Sequence, residues 1–115
     1  MNYTQHFGKV MISQPMGGKS DTEILQARER AISDLHSKGE FILVNTMFTD
    51  EWYSEETSRT VGDVVNRPLF FLAKSLEKMS KCHAVYFCKG WEKARGCKIE
   101  HEAAVEYGLH IIYEE

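Results

Sequence analysis

Apolar residues in this chain come in two arrangements: short unbroken runs, and longer stretches in which they recur every third or fourth position. GKVMIS, residues 8–13, is a run closed by QPMGG, and it predicts a buried strand followed by a loop. Ile24, Leu25, Arg28, Ala31, Ile32 and Leu35 then follow helical spacing. They predict a helix from Thr22 to Ser37, capped by Ser20 or Asp21 and ended by Gly39. FILVNT follows at once as a second strand. Residues 46–65 show no sustained period, carry two large aromatics and several acids, and exceed the usual connection length, so a long loop is expected there. Pro68 opens the next helix, in which Leu69, Leu72, Leu76 and Met79 recur at helical spacing. HAVYFC is the third strand, KGWEKARG a loop, RGCKIEHEAAVEYG a helix closed by Gly108, and HIIYE a short final strand.

Strands that alternate with helices, and that are aliphatic without polar alternation, predict a parallel sheet covered on both faces. The expected fold is a small three-layer α/β/α sandwich, one domain over residues 1–115. In such open sheets ligands bind beyond the carboxyl ends of the strands. Three segments are placed there: QPMGGKS, residues 46–65, and KGWEKARGC.

The last helix carries an anomaly. At about 100° per residue from Ile99, Ala103 falls at about 40°, Tyr107 at about 80° and Ala104 at about 140°, which outlines an apolar face. Glu100 falls inside it, whereas Glu102 and Glu106 fall on the opposite, polar side. An acid in the first turn of a helix is stabilised by the macrodipole. That benefit is equally available on the outer face without desolvation, so it does not account for an inward carboxylate. A carboxylate at the mouth of a half-buried site is a tool for nucleophilic or acid/base chemistry.

Composition narrows the candidates. At 43% hydrophobic and 27% charged residues, with a formal net charge of −3, the chain is an ordinary globular sequence. It lacks the concentrated Lys and Arg that duplex nucleic acid demands, and any apolar run long enough for a membrane. The polar start MNYTQHFGK has no apolar signal region, so a cytoplasmic location is expected, with Cys82, Cys88 and Cys97 reduced. Five histidines and three cysteines form no CxxC, HxxxH or HExxH, and neither a metal nor a cofactor is expected. A small-molecule ligand is. Gly17 and Gly18, between a strand and a helix and beside Lys19 and Ser20, either offer backbone N–H groups to an anion or simply let the chain turn. Trp52, Tyr53 and Trp91 either stack on a base or sugar or cap the core, and Arg95 either meets an anionic group or stays solvated.

ISQPMGG near the start, with CHAVYFCKGWEKARGCKIEHEAAVEYGLHIIY, resembles the small DUF4406 proteins of bacteria and phages. These are relatives of the nucleoside 2-deoxyribosyltransferases and the deoxynucleoside 5′-monophosphate N-hydrolases. The resemblance spans nearly the whole chain and implies their flavodoxin-like fold. In those relatives a glycine is followed at four-residue steps by a glutamate, an alanine, and a glycine or asparagine; Gly96, Glu100, Ala104 and Gly108 keep that spacing. The resemblance implies that Glu100 is the nucleophile attacking the anomeric carbon of a (deoxy)ribose. It also implies that Ser13, Gln14, Met16, Gly17 and Gly18 line the pocket for the sugar or its 5′-phosphate, with Trp91, Arg95 and Gly96 bordering the entry. Where many relatives carry an aspartate that orients or protonates the leaving base, this chain has Ser75, and a strand-end aspartate is matched by His83. N-glycosidic cleavage or transfer on a nucleoside or nucleotide is therefore expected, by a homo-oligomer. The alternative is a non-catalytic module that sequesters a nucleotide-derived ligand.

Overall fold

A computed structural model describes residues 5–59 and 64–115. Four strands, β1 (Gln5–Ser13), β2 (Gly39–Leu43), β3 (Ala84–Phe87) and β4 (His110–Tyr113), form one sheet in the order β2-β1-β3-β4. Every pairing is parallel: Val10 lies opposite Leu43 on one side and Ala84 on the other, and Phe87 lies opposite Tyr113. Among the described residues four α-helices, α1 (Asp21–Lys38), α2 (Asp50–Arg59), α3 (Arg67–Met79) and α4 (Arg95–Glu106), and one 3-10 turn at Trp91–Lys93 complete the fold.

Alternation along the strands divides the core in two. Val10, Ile12, Ala84, Tyr86 and Ile112 pack on one face with Ala31 and Leu35 of α1. Met11, Val85 and Phe87 pack on the other with Met79 of α3 and Ala104 of α4. The result is the three-layer α/β/α sandwich that the aliphatic runs predict. Tyr86 is fully buried, and its hydroxyl donates to Asp34 Oδ2 on α1 at 2.5 Å, a polar tie between layers.

The element boundaries follow local chemistry. Ser20 caps α1 in a capping box: the Glu23 N–H donates to Ser20 Oγ (3.2 Å) and the Ser20 N–H donates to Glu23 Oε1 (3.1 Å). Asn66 caps α3 through its side chain, just ahead of Pro68 in the first turn. Gly39 turns the chain directly from α1 into β2. Its backbone is extended, so the requirement for glycine is spatial: a Cβ there would stand 2.3 Å from the Gln5 carbonyl oxygen. Gly39→Ala is expected to lower stability by about 1–3 kcal/mol in urea unfolding, because the obstacle is backbone rather than a yielding side chain. An unchanged midpoint would mean that the Gln5 end of β1 moves aside freely.

The structure corrects the sequence reading at three points. Residues 46–65 are not a plain loop: they contain α2, whose start is marked by the Trp52 N–H donating to Thr49 Oγ1 at 3.1 Å. Trp52 stacks on Phe48 and Tyr53 on Phe71, Phe70 meets Tyr53 edge-on, and the Arg67 guanidinium lies 4.5 Å from the Tyr53 ring centre. Helical period was hidden because its apolar partners come mainly from α3. The part of the expected loop at residues 60–63 lies outside the described residues. Secondly, Leu25 on the apolar stripe of α1 is 53% exposed, while Arg28 on the same stripe is buried. Thirdly, the buried stripe of α4 is Cys97, Glu100 and Ala104. Ile99 and Tyr107 remain 43% and 86% exposed, so the face that meets the sheet is rotated from the one expected. Among the described residues no helix is long and apolar enough to cross a membrane.

Candidate functional site

The chain leaves β1 toward β2 on one side of the sheet and returns in β3 on the other side of β1, so the topological switch point lies between β1 and β3. At that point β1 ends in two buried polar residues, Ser13 and Gln14. The Cys88 N–H donates to the Ser13 carbonyl at 3.0 Å, which ties the end of β3 to the same rim. α4 crosses this rim and delivers Glu100.

Glu100 is only 9% exposed. It lies in the second turn of α4, since the helix begins at Arg95. The favourable effect of the macrodipole fades within the first turn, so it does not explain the acid. Burial raises the Glu100 carboxyl to about 7, and the Ser13 hydroxyl beside it draws it part of the way back. Ser13 also touches the Cys97 thiol, one turn earlier on the same stripe of α4. Neither contact is a well-formed hydrogen bond: Ser13 Oγ is buried with no such partner. Desolvation pushes Cys97 up to about 11 and Cys88 up to about 12, so both are neutral thiols and poor nucleophiles. Of these three groups, the Glu100 carboxyl is the one brought near neutrality. Among the described residues no group of three or more His, Cys, Asp or Glu side chains gathers as a metal site would require.

A second buried charge borders the rim. Arg28 of α1 is 8% exposed and its Nη2 donates to Asn45 Oδ1 at 3.4 Å, while Nη1 has no partner. Gln14 is similar: Nε2 donates to the Ile24 carbonyl at 2.9 Å and Oε1 is left open. Ser13, Gln14 and Arg28 thus supply three unsatisfied buried polar atoms around the ends of β1 and β3, and a ligand seated there would satisfy them. Sequence reasoning passed over Arg28, Asn45 and Cys97. Arg28 offered the same signal as Glu100, a charged residue inside an apolar helical stripe.

The other expected site residues are placed as follows. Met16, Gly17 and Gly18 form an exposed loop at the same rim, with open space where a Cβ of either glycine would stand. Gly18 has φ +74°, a conformation that favours glycine. The start of α1 behind this loop is less open to an anion than the sequence suggested. The Ser20 and Glu23 N–H groups are spent on the capping box, and the Asp21 and Glu23 carboxylates already stand in the first turn. Gly96 is half-buried, one turn before Glu100, and Ser75 is half-buried on α3. Trp91 stacks on His101 with ring centres 3.9 Å apart and leans on Phe87, so it caps the core with its flat face engaged. Arg95 is exposed on the outer side of α4 and does not join Ser13 and Glu100. His83 lies at the amino end of β3, away from the rim, where Nδ1 accepts from the Lys9 N–H at 2.9 Å.

With this geometry in view, a family model described as Domain of unknown function (DUF4406) matches residues 8–113. The chain belongs to the DUF4406 family. The match covers the last six residues of β1 and all the later elements through β4, and so both arms of the DUF4406 chain that carry Ser13 and Glu100. No curated protein and no solved structure matches it.

Proposed function

We propose that this chain breaks or exchanges the N-glycosidic bond of a nucleoside, nucleotide or nucleotide derivative, with Glu100 as nucleophile. The observation that carries this reading is a desolvated carboxylate, in contact with Ser13 and titrating near 7, at the carboxyl end of a parallel sheet. The resemblance of the Gly96, Glu100, Ala104 and Gly108 spacing to the deoxyribosyltransferases supplies the substrate class. In the reaction, a Glu100 oxygen forms a bond to the anomeric carbon while the carbon–nitrogen bond breaks, and its electron pair leaves with the base, which takes a proton from solvent. Water, or the nitrogen of a second base, then attacks the same carbon, gives its proton to solvent and releases Glu100 as carboxylate. The Ser13 hydroxyl favours the ionised form that attacks. On this reading the protein works in the cytoplasm, on a small molecule, as a homo-oligomer and without a cofactor.

One observation favours a second reading, a module that holds such a ligand without turning it over. Cys97 is the nearest other titratable group on the Glu100 stripe, and Ser75 stands where the relatives place an acid, so the leaving base has no obvious proton donor. A mass-spectrometric screen separates the two. The purified protein is incubated with deoxynucleosides, nucleoside monophosphates and NAD-derived nucleotides, and both products and retained ligand are recorded. Free base is the expected result; ligand recovered unchanged in stoichiometric amount would replace the first reading with the second.

A further inference from the structure

Arg28 is buried on α1 with its charge unanswered. Among the described residues no carboxylate pairs with it, and Cys88, the neighbour its charge acts on, is a neutral thiol. A buried guanidinium in this state costs stability, which points to a partner from outside the chain. One side of the group is fixed: Nη2 donates to Asn45 Oδ1, and that oxygen is itself held by the Met47 N–H at 2.9 Å. Nη1 keeps its hydrogens free.

Gln14 stands beside it. The Ile24 carbonyl that accepts from Gln14 Nε2 lies one turn before Arg28 on α1. Helical side chains lean toward the amino end, so Arg28 runs back over the turn that Gln14 contacts. Because the amide nitrogen is spent on a carbonyl, Oε1 is fixed as an acceptor, and it has no partner. The two residues thus present a charged donor next to an acceptor, while Ser13, adjacent to Gln14, meets Glu100 from the same strand end. A phosphate dianion does not suit this pair, because it has no hydrogen to give Gln14. A carbonyl beside a ring N–H does: the oxygen accepts from Arg28 and the N–H donates to Gln14. Uracil, thymine, hypoxanthine and guanine carry that edge. In cytosine and adenine the same edge is an amino group beside a bare ring nitrogen, so donor and acceptor are exchanged.

We propose that Arg28 and Gln14 hold the leaving base by a carbonyl and its neighbouring ring N–H, and that the Arg28 charge stabilises the base as it departs. The inference rests on the N-glycosidic reading of the Glu100 site. As Glu100 bonds to the anomeric carbon, the electron pair of the carbon–nitrogen bond passes to the base and is delocalised onto the carbonyl oxygen facing Arg28. The base leaves as an anion and takes its proton from solvent afterwards, so no acid is required at the position of Ser75.

Two matched pairs test it in single-turnover base release: deoxyuridine with deoxycytidine, and deoxyinosine with deoxyadenosine, each as nucleoside and as 5′-monophosphate. The unaltered protein is expected to favour the carbonyl member of a pair at least about a hundredfold. Arg28→Met is expected to slow release from that member at least about a hundredfold and to bring the pair within about tenfold of each other. This variant loses an unpaired buried charge while Asn45 keeps its bond to Met47, so it is expected to unfold in urea no earlier than the unaltered protein. Release by Arg28→Met at the unaltered rate, or a fall that leaves the preference intact, overturns the proposal. So does an unaltered protein that prefers the amino member. Equilibrium binding of the same pairs to Glu100→Gln, with and without Arg28→Met, separates such a failure from that of the reading beneath it. If the unaltered protein releases no base from any of them, the reading falls, and the role of the charge with it. Edge recognition then stands if the carbonyl member binds at least about tenfold more tightly and Arg28→Met removes the difference, and falls otherwise.

Discussion

Glu100→Gln is expected to lower base release at least about a thousandfold at pH 8, because it removes the proposed nucleophile. Glutamine keeps the size of the side chain and its place against Ser13, so ligand affinity is expected to stay within about tenfold of the unaltered protein. The measurement is single-turnover release of base, beside equilibrium binding of the same ligand. The unaltered protein also carries a pH signature. Attack requires the carboxylate, and Glu100 is raised to about 7, so kcat/KM rises with pH up to about 7 and is level above it. Equal turnover by both proteins removes Glu100 from the mechanism. A rate that instead falls as pH rises through 7 makes Glu100 an acid rather than a nucleophile.

The same substitution is expected to stabilise the fold, and to do so only where Glu100 would be charged. In the unfolded chain this carboxyl titrates near 4.5, whereas in the fold burial lifts it to about 7. Between those values the folded protein holds a proton that the unfolded chain has released. Stability therefore falls as pH rises from about 4.5 to about 7, and the loss is complete above that. The shift corresponds to at most about 3 kcal/mol, with relaxation around the charge reducing it. Urea unfolding of the unaltered protein and Glu100→Gln should coincide near pH 4.5 and separate by pH 8, with the variant the more stable. Parallel curves at both pH values would mean that the carboxyl is solvated. A gain in stability joined to a loss of turnover marks a residue kept for chemistry at the expense of the fold.

Much of the sheet was legible because the aliphatic runs GKVMIS, FILVNT, HAVYFC and HIIYE are short, unbroken and separated by helical periods. Their parallel pairing follows from that alternation, whereas their order, β2-β1-β3-β4, does not. α2 was not legible, since Trp52 and Tyr53 find their apolar partners in Phe70 and Phe71, a helix away in sequence. The role of the aromatics was open for a related reason. Stacking on a ligand and stacking on His101 demand the same ring, and proximity alone directs Trp91 to the second.

Glu100 announces itself by local pattern alone, as a charge on the inner side of a helix, and Arg28 does the same on α1. Periodicity, however, records only that apolar residues share a side, not what that side meets. On α4 two neighbouring stripes compete, Ile99 with Tyr107 and Cys97 with Ala104, and hydrophobicity favours neither. Packing decides: the small Ala104 lies on Phe87 and Val85, with Cys97 and Glu100 buried on the same stripe, which puts Glu100 under cover beside Ser13 and leaves Ile99 and Tyr107 outside. The kind of element, the parallel sheet and the anomalous acid were thus set by residues near one another in sequence. The rotation of α4, the pairing of Glu100 with Ser13 and the rise of its pKa are set by contacts between distant residues, because desolvation exists only once the layers close.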